Sequence, residues 1–405
     1  MLRGTNLEYA KAYNLRIVLE TVRLHGPLSR AEVARRTALT PQTISNIVTR
    51  LLEQGLVKEA GTKQGKVGSP STQLEFNAHG AFSIGFDLDQ KHLTGVLIDL
   101  NGVVYRHFRQ SVNFPSPAEA LELMATVATT FSREQAAENR VLGVGVAFPG
   151  PIRVTERAVV DNFVNPDFFP GWENVPVARQ LSDLIRLPVL LENNATAAAI
   201  GESFYGVGQG IANFFYVFLG TGLGGGVVLN GQPYHGQQGN AGEIGFIPVG
   251  RDKGAVTRLG IFFNLPWVYR RLAAQGVHAA APQDLGVLLE QKNAPLSAWL
   301  DELAGHLADA LIGIEFSFDP EAVIFGGVWP EPLIDALLAR LETLLPLLRL
   351  AQKGYQPRLI RAEAGEDAAA LGVATLPIYA AFAPNTALLA KSSSAPELLV
   401  PVERR

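Results

Sequence analysis

Cysteine is absent from all 405 residues, which excludes disulfides, thiol catalysis and cysteine-ligated zinc. The seven histidines include no pair at i, i+3 or i, i+4 spacing, so no substitute metal site is legible and none is expected. No apolar run approaches the roughly 18 residues of a membrane-spanning helix; the densest, FFYVFL at 214–219, has the length of a strand. The opening MLRGTNLEYAKAYNL has neither an apolar h-region nor a cleavage-site pattern. A signal peptide is therefore not expected, and the chain is read as cytoplasmic, with no membrane partner. Charged residues make up only 18% against 47% hydrophobic, a globular composition with enough apolar material for two or three domains.

Charge is unevenly placed. Residues 1–76 carry a formal +5 and the remainder −9, the asymmetry of a phosphate-binding module on an acidic body. Within the basic segment, Leu15, Val18, Leu19 and Val22 make an apolar stripe on a helix ending at Gly26-Pro27. Ser29 with Glu32 forms a capping box for a short second helix, and Thr40 before Pro41 starts a third. In the third helix Ile44, Ile47, Val48, Leu51 and Leu52 share one face. Gln42, Thr43, Ser45, Asn46, Thr49 and Arg50 oppose it. This spacing predicts a helix-turn-helix whose second helix reads base edges. After Gly55, two strands around a Gly/Lys-rich loop add a wing bearing Lys58, Lys63 and Lys66. Thr40, the polar face of the third helix and the three wing lysines are the candidate DNA-binding residues. A three-helix packing module with a solvated face is the alternative.

From Ala81 the pattern turns to strands: FSIGFDLDQ, LTGVLIDLNG and VVYRHFRQ, with Asn101-Gly102 expected as a two-residue hairpin. A similar strand, glycine turn and strand recur in FFYVFLGTGLGGGVVLNGQPY, which suggests a duplicated α/β body with a cleft between two lobes. Gly220, Gly222, Gly224 and Gly225 would let backbone N–H groups approach a phosphate. They precede a strand rather than a helix, so the dinucleotide fingerprint is not met, and a tight hairpin beside a packed neighbour is the alternative.

Six ordered segments, VLGVGVAFPGPI (141–152), VNPDFFPGW (164–172), LPVLLENNATAAAIGE (187–202), LGTGLGGGVV (219–228), GNAGEIGF (239–246) and EAVIFGGV (321–328), give the chain a resemblance to the ROK family of repressors and sugar kinases, in its winged-helix regulator form. The resemblance implies a two-lobed, actin-like, hexokinase-type fold with a sugar in the cleft and, in kinase members, ATP. It also implies sugar-hydroxyl roles for Asn165, Asn193, Asn194 and Glu243. Each has a plainer reading, as turn, loop or surface charge. Trp172, His235 and Gln237 are weaker candidates for the same cleft.

Three departures from the family pattern stand out. The kinase loop Asp-x-Gly-Gly-Thr-Lys is replaced by Asp87-Leu88-Asp89-Gln90-Lys91-His92, whose side chains obstruct a triphosphate. Asn194 occupies the position of the proton-accepting Asp, and an amide has no useful basicity. Phe246 replaces a zinc-ligating His, giving either ordinary packing or a less polar rim to the cleft than His would, and the three Cys are missing.

The resulting expectation is an α/β protein with a winged helix-turn-helix over 1–76. A first lobe follows over 80–200 with a returning helix at 367–383, then a second lobe over 201–366 and a loose tail over 384–405. It would act as a sugar- or sugar-phosphate-responsive regulator, a repressor of carbohydrate genes, binding double-stranded operator DNA as a homodimer or tetramer. No catalytic residue and no cofactor are expected. An active ATP-dependent sugar kinase with a DNA-binding segment, and a protein-responsive regulator with a vestigial cleft, are the alternatives.

Overall fold

The computed structural model describes residues 7–63, 71–134, 140–150, 162–163, 171–252, 255–349 and 356–383. The expected tail over 384–405 lies outside them. The N-terminal head contains α1 (Leu7–His25), β1 (Leu28–Ser29), α2 (Arg30–Thr37), α3 (Pro41–Glu53), β2 (Val57–Lys63) and β3 (Ser71–Phe76). The helix boundaries follow local chemistry. Ser29 and Glu32 close the capping box, Ala38 ends α2 in the left-handed region at φ 56°, and the Thr40 hydroxyl accepts from Thr43 N. The three strands pair antiparallel in the order β1-β3-β2, completing the wing.

The first lobe is built on β4 (Phe82–Leu88), β5 (His92–Asp99), β6 (Val104–Ser111), α4 (Pro117–Glu134), β7 (Val141–Phe148), β8 (Asn162–Phe163), β9 (Glu173–Val175), α5 (Val177–Ile185), β10 (Val189–Asn193) and α6 (Asn194–Tyr205). The second contains β11 (Phe214–Leu219), β12 (Leu223–Leu229), β13 (Gln232–Pro233), β14 (Pro248–Asp252), β15 (Ala255–Arg258), α7 (Leu265–Ala273), α8 (Pro282–Glu290), α9 (Ala294–Phe318), β16 (Ala322–Gly327), α10 (Glu331–Leu348) and β17 (Arg358–Arg361). The chain then returns as α11 (Ala368–Phe382).

The two main sheets have the same plan. One runs β6-β5-β4-β7-β10 and the other β13-β12-β11-β16-β17, each with two antiparallel pairs followed by two parallel ones. The duplication suggested by the repeated strand pattern is thus a duplication of sheet topology. The turns differ, however. Asn230 and Gly231 both take positive φ in a two-residue hairpin, whereas only Gly102 does in the first lobe. There Asp99 Oδ1 accepts from Asn101 N and Val103 N, making a longer, side-chain-bridged turn than Asn101-Gly102 alone predicts.

Strand alternation assigns the layers. Phe82, Ile84 and Phe86 of β4 join the core with Met124 and Ala128 of α4, while Gly85 faces α11. In β11, Phe215, Val217 and Leu219 pack with α7, α9 and α10 residues, and Phe214, Tyr216 and Phe218 pack with α6 alanines and Val373 of α11. Helices α6 and α11 therefore form the layer between the sheets. Their closeness is set by glycine: a Cβ on Gly85, Gly145, Gly201 or Gly372 would collide with a backbone carbonyl of the facing helix. The division between residues 200 and 201 falls within α6, a helix common to both lobes.

Candidate functional site

The exposed face of α3 carries Gln42, Ser45, Asn46, Thr49 and Arg50, with Thr43 half-buried, while Ile44, Val48 and Leu51 are buried. Its polar groups are lightly tied to one another. Gln42 Nε2 donates to Asn46 Oδ1 at 3.2 Å, and Thr49 Oγ1 donates to the Ser45 carbonyl at 2.9 Å. Thr40, exposed at the head of α3, starts the helix through its capping bond to Thr43 N and a 2.8 Å contact with the Thr43 hydroxyl. On the wing, Lys63 is exposed at the end of β2, Lys58 lies 3.4 Å from Glu75, and Lys66 is outside the described residues. Arg35 and Arg36, exposed in the last turn of α2, belong to the head's +5 and add positive charge beyond the expected DNA-binding residues, a basic pair that the capped helix makes legible in the sequence.

The second site is a cavity of about 580 Å³ between the lobes, within the roughly 300–1,000 Å³ range of small-molecule sites. Asp87 and Asp89 come from the end of β4 and the turn after it, Gly150 from beyond β7, Asn193 and Asn194 from the β10–α6 junction, and Glu243 from the loop after β13. Asn193, 6% exposed, organises the centre. Its Oδ1 accepts from Ala195 N and Thr196 N as the N-cap of α6, leaving Nδ2 to donate to Glu243 Oε1 at 3.1 Å. Gly150 lies so close that a Cβ there would meet both side chains. Of the four expected sugar partners, Asn193, Asn194 and Glu243 converge on the cavity, and Asn165 lies outside the described residues.

Electrostatics follow from burial. Desolvation raises the Glu243 carboxyl to about 7, with the Asn193 hydrogen bond opposing. Asp87 is raised to about 8 by burial first and then by the Asp89 carboxylate, against the Arg109 charge; its Oδ1 has no partner among the described residues. The wall thus combines amides with carboxyls that burial shifts toward the protonated form, donors and acceptors of the kind sugar hydroxyls match. Arg258 is the one Lys or Arg among the described lining residues.

The weaker candidates separate. Trp172 is fully buried against Phe148 and donates to the Pro115 carbonyl at 2.9 Å, a core role. Gln237 is exposed and outside the lining. His235 Nε2 lies 2.7 Å from Glu192 Oε2, a bond that raises the His pKa and joins the second lobe to β10. Phe246 is 46% exposed and lines the cavity, so it makes a less polar rim there and is not packed inside. The β14–β15 hairpin follows it and brings Val256, Thr257 and Arg258 to the rim.

The glycine run divides in two. Gly220 and Gly222 line the cavity, and a Cβ on Gly222 would meet nothing. Gly224 lines it too but sits against the Ala195 Cβ, and Gly225 is pressed onto the Gly242 carbonyl. Close packing explains Gly225, and a Cβ on Gly220 would meet the Phe218 ring, so of the four only Gly222 opens freely onto the cavity.

Two sheets of one plan enclosing a polar cleft, preceded by a winged helix-turn-helix, define a two-lobed actin-like protein fused to a nucleic-acid-binding type of head. The chain belongs to the ROK family, whose profile matches residues 83–379, and the MarR family profile matches residues 16–66. It is 25% identical over 390 residues to the xylose repressor of Bacillus subtilis (strain 168), covering 91% of this chain and 96% of that one. Among solved structures, a ROK family transcriptional regulator described as a homolog of the E. coli MLC protein superposes with a TM-score of 0.75 at 20% identity, over 92% of this chain and 97% of that one. A ROK hexokinase from Thermus thermophilus superposes at 0.58 with 27% identity, over 72% and 96%.

Proposed function

We propose that the protein is a sugar-responsive DNA-binding regulator, a repressor of carbohydrate uptake or catabolism genes. The observation that carries this reading is the pairing, in one chain, of an exposed base-reading face on α3 with a cleft whose Asn194 lines the wall where a kinase needs its base. Asn46, Gln42 and Arg50 read base edges, with Lys63 on phosphate. Asn193, Asn194 and Glu243 hold the hydroxyls of a monosaccharide or sugar phosphate. Two heads are needed, because one recognition helix gives too small an interface for tight specific binding, so the working unit is a homodimer. No helix among the described residues is long and apolar enough to cross a membrane, and we place the protein in the cytoplasm. The similarity to a protein named xylose repressor makes pentoses the first effectors to try.

A thermal-shift screen of monosaccharides and their phosphates tests the cleft, since a ligand that binds only the folded state raises its stability by mass action. Stabilisation by at least one sugar, together with altered affinity for operator DNA, is expected. The competing reading is a sugar kinase carrying a DNA-binding head. The likeness to a hexokinase favours it, as does Glu243, whose pKa of about 7 suits a general base. A coupled ATP assay over a hexose and pentose panel separates the two: turnover of about 1 s⁻¹, the low end for enzymes, establishes the kinase.

A further inference from the structure

We propose that α11 is the rod through which cleft occupancy reaches the reading head, and that Arg16 is the positioning residue at its far end. The proposal rests on the reading of the cleft as an effector site. Fifteen helical residues at about 1.5 Å each give α11 a length of about 22 Å, and its two ends meet different machinery.

At the near end, Asp367, the residue before α11, lies 3.1 Å from His107, and its charge is one of those that raise the proton affinity of Asp87 on the cleft wall. The neighbouring Glu366 pairs with Arg109 at 2.8 Å, and Arg109 acts on Asp87 in the opposite sense. Along its side, α11 touches α6 backbone to backbone, because Gly372 faces the Ala197 carbonyl and Gly201 of α6 faces the Ala368 carbonyl. The N-cap of α6 is Asn193, the residue that holds Glu243. No side chain cushions these contacts, so a shift of α6 on ligand binding displaces α11 with little damping, as close-packed interiors transmit strain.

At the far end, the guanidinium of Arg16, on α1 of the head, donates to the Ala380 carbonyl at 2.9 Å and the Ala383 carbonyl at 3.2 Å. Those carbonyls belong to the last turn of α11 and the residue after it, where helices leave acceptors unsatisfied and partial negative charge collects. Arg16 is 4% exposed, its Nε has no partner among the described residues, and burial lowers its pKa. Its described hydrogen bonds are the two to α11, and a buried cation held so sparsely is sensitive to where those oxygens lie. Ala381 and Phe382 share one core with Leu15, Val18 and Val22 of α1 and with Ile44, Val48 and Leu51 of α3. The end of α11 therefore reaches the core of the reading helix through α1, which packs on both.

The test compares the full-length protein with Arg16→Met, which keeps the aliphatic stem, and Arg16→Lys, which keeps a point charge. The DNA probe is a duplex selected from a random pool with the wild type. The ligand probes are d-xylose, d-glucose, N-acetyl-d-glucosamine and the phosphates of the last two. Calorimetry reads sugar affinity, and anisotropy reads DNA affinity with and without sugar. Arg16→Met is expected to bind sugar as the wild type does while the sugar-induced change in DNA affinity, about 5- to 150-fold for ordinary allosteric coupling, collapses toward unity. Arg16→Lys is expected to recover part of it. A full wild-type change in Arg16→Met overturns the proposal.

If no sugar alters wild-type DNA binding, the effector reading fails, and a ligand-free arm still decides the rod. Asn193→Ala, which removes the cleft cap of α6, is expected to speed amide exchange in α1 in the wild-type background and not in Arg16→Met. Equal acceleration in both backgrounds, or none in the wild type, rejects the mechanical path. Should Arg16→Met not fold, Arg16→Lys carries both arms, with partial loss expected and unchanged coupling contradicting the proposal.

Discussion

The reading helix and the rod helix are opposites. In α3 the apolar residues fall on one stripe and the polar ones on the other, whereas α11 is buried along most of its length and has no polar face to read. The first does its work with side chains that point away from the fold; the second, through backbone contacts that side chains would prevent. A surface function thus tolerates change residue by residue, while a transmitting element fails as soon as its spacing does.

The most damaging change should fall on the transmitting side. Gly145→Val places a branched side chain against the Val373 carbonyl of α11, where neither backbone can swing aside. Overpacking usually costs about 1–3 kcal/mol and here should reach or exceed the top of that range, read as a large fall in melting temperature or loss of the folded protein. Ser45→Ala, on the exposed face of α3, should leave the melt unchanged. A mild Gly145→Val would break the contrast.

Next comes a pH effect. Asp87 binds its proton up to about 8 in the folded protein but only to its ordinary 3.8 when unfolded. Between those values the folded state holds more protons, so its stability falls as pH rises. Glu243 adds the same trend up to about 7. Asp87→Asn should be near neutral at acidic pH and stabilising by a few kcal/mol, in order of magnitude, above about pH 8; parallel stability curves for the two proteins would remove Asp87 from the account.

On the reading side, Asn46→Ala should lose about 1–3 kcal/mol on the selected operator and little on random DNA. Equal loss on both would mean that the reading face is misassigned. Asn193→Ala should cost about 1 kcal/mol of stability as a lost cap and weaken sugar binding through the freed Glu243, by chemical denaturation and calorimetry respectively. The smallest change is expected from Lys63→Ala, a uniform weakening on all DNA with the salt slope reduced by about one.

Much of this was legible in the residues. The caps at Ser29 and Thr40, the α3 stripe, the wing and the repeated strand pattern are local, and the structure reproduces each. The repeated strand pattern pointed to a cleft, but its lining was legible only by resemblance: Asn193, Asn194 and Glu243 meet there from distant segments, and nothing near Asn193 in sequence announces that one amide both caps α6 and holds Glu243. Phe246, in place of a histidine, is legible either as packing or as a less polar rim, and the fold leaves it half-exposed on the cavity wall, in keeping with the second. Trp172, read as a neighbour of the cleft, belongs to the core. His235 needed Glu192, 43 residues earlier, before its role as a link between lobes showed.

Helix starts, turn residues and the split of charge between head and body are decided within a few neighbours, so the order of residues alone determined them. The proton affinities of Asp87 and Glu243, the union of α6 with α11, and the grip of Arg16 on a helix end 364 residues away were decided only when remote segments excluded water from one another. Desolvation and backbone contact belong to assembled surfaces, and no local pattern encodes which surfaces will meet.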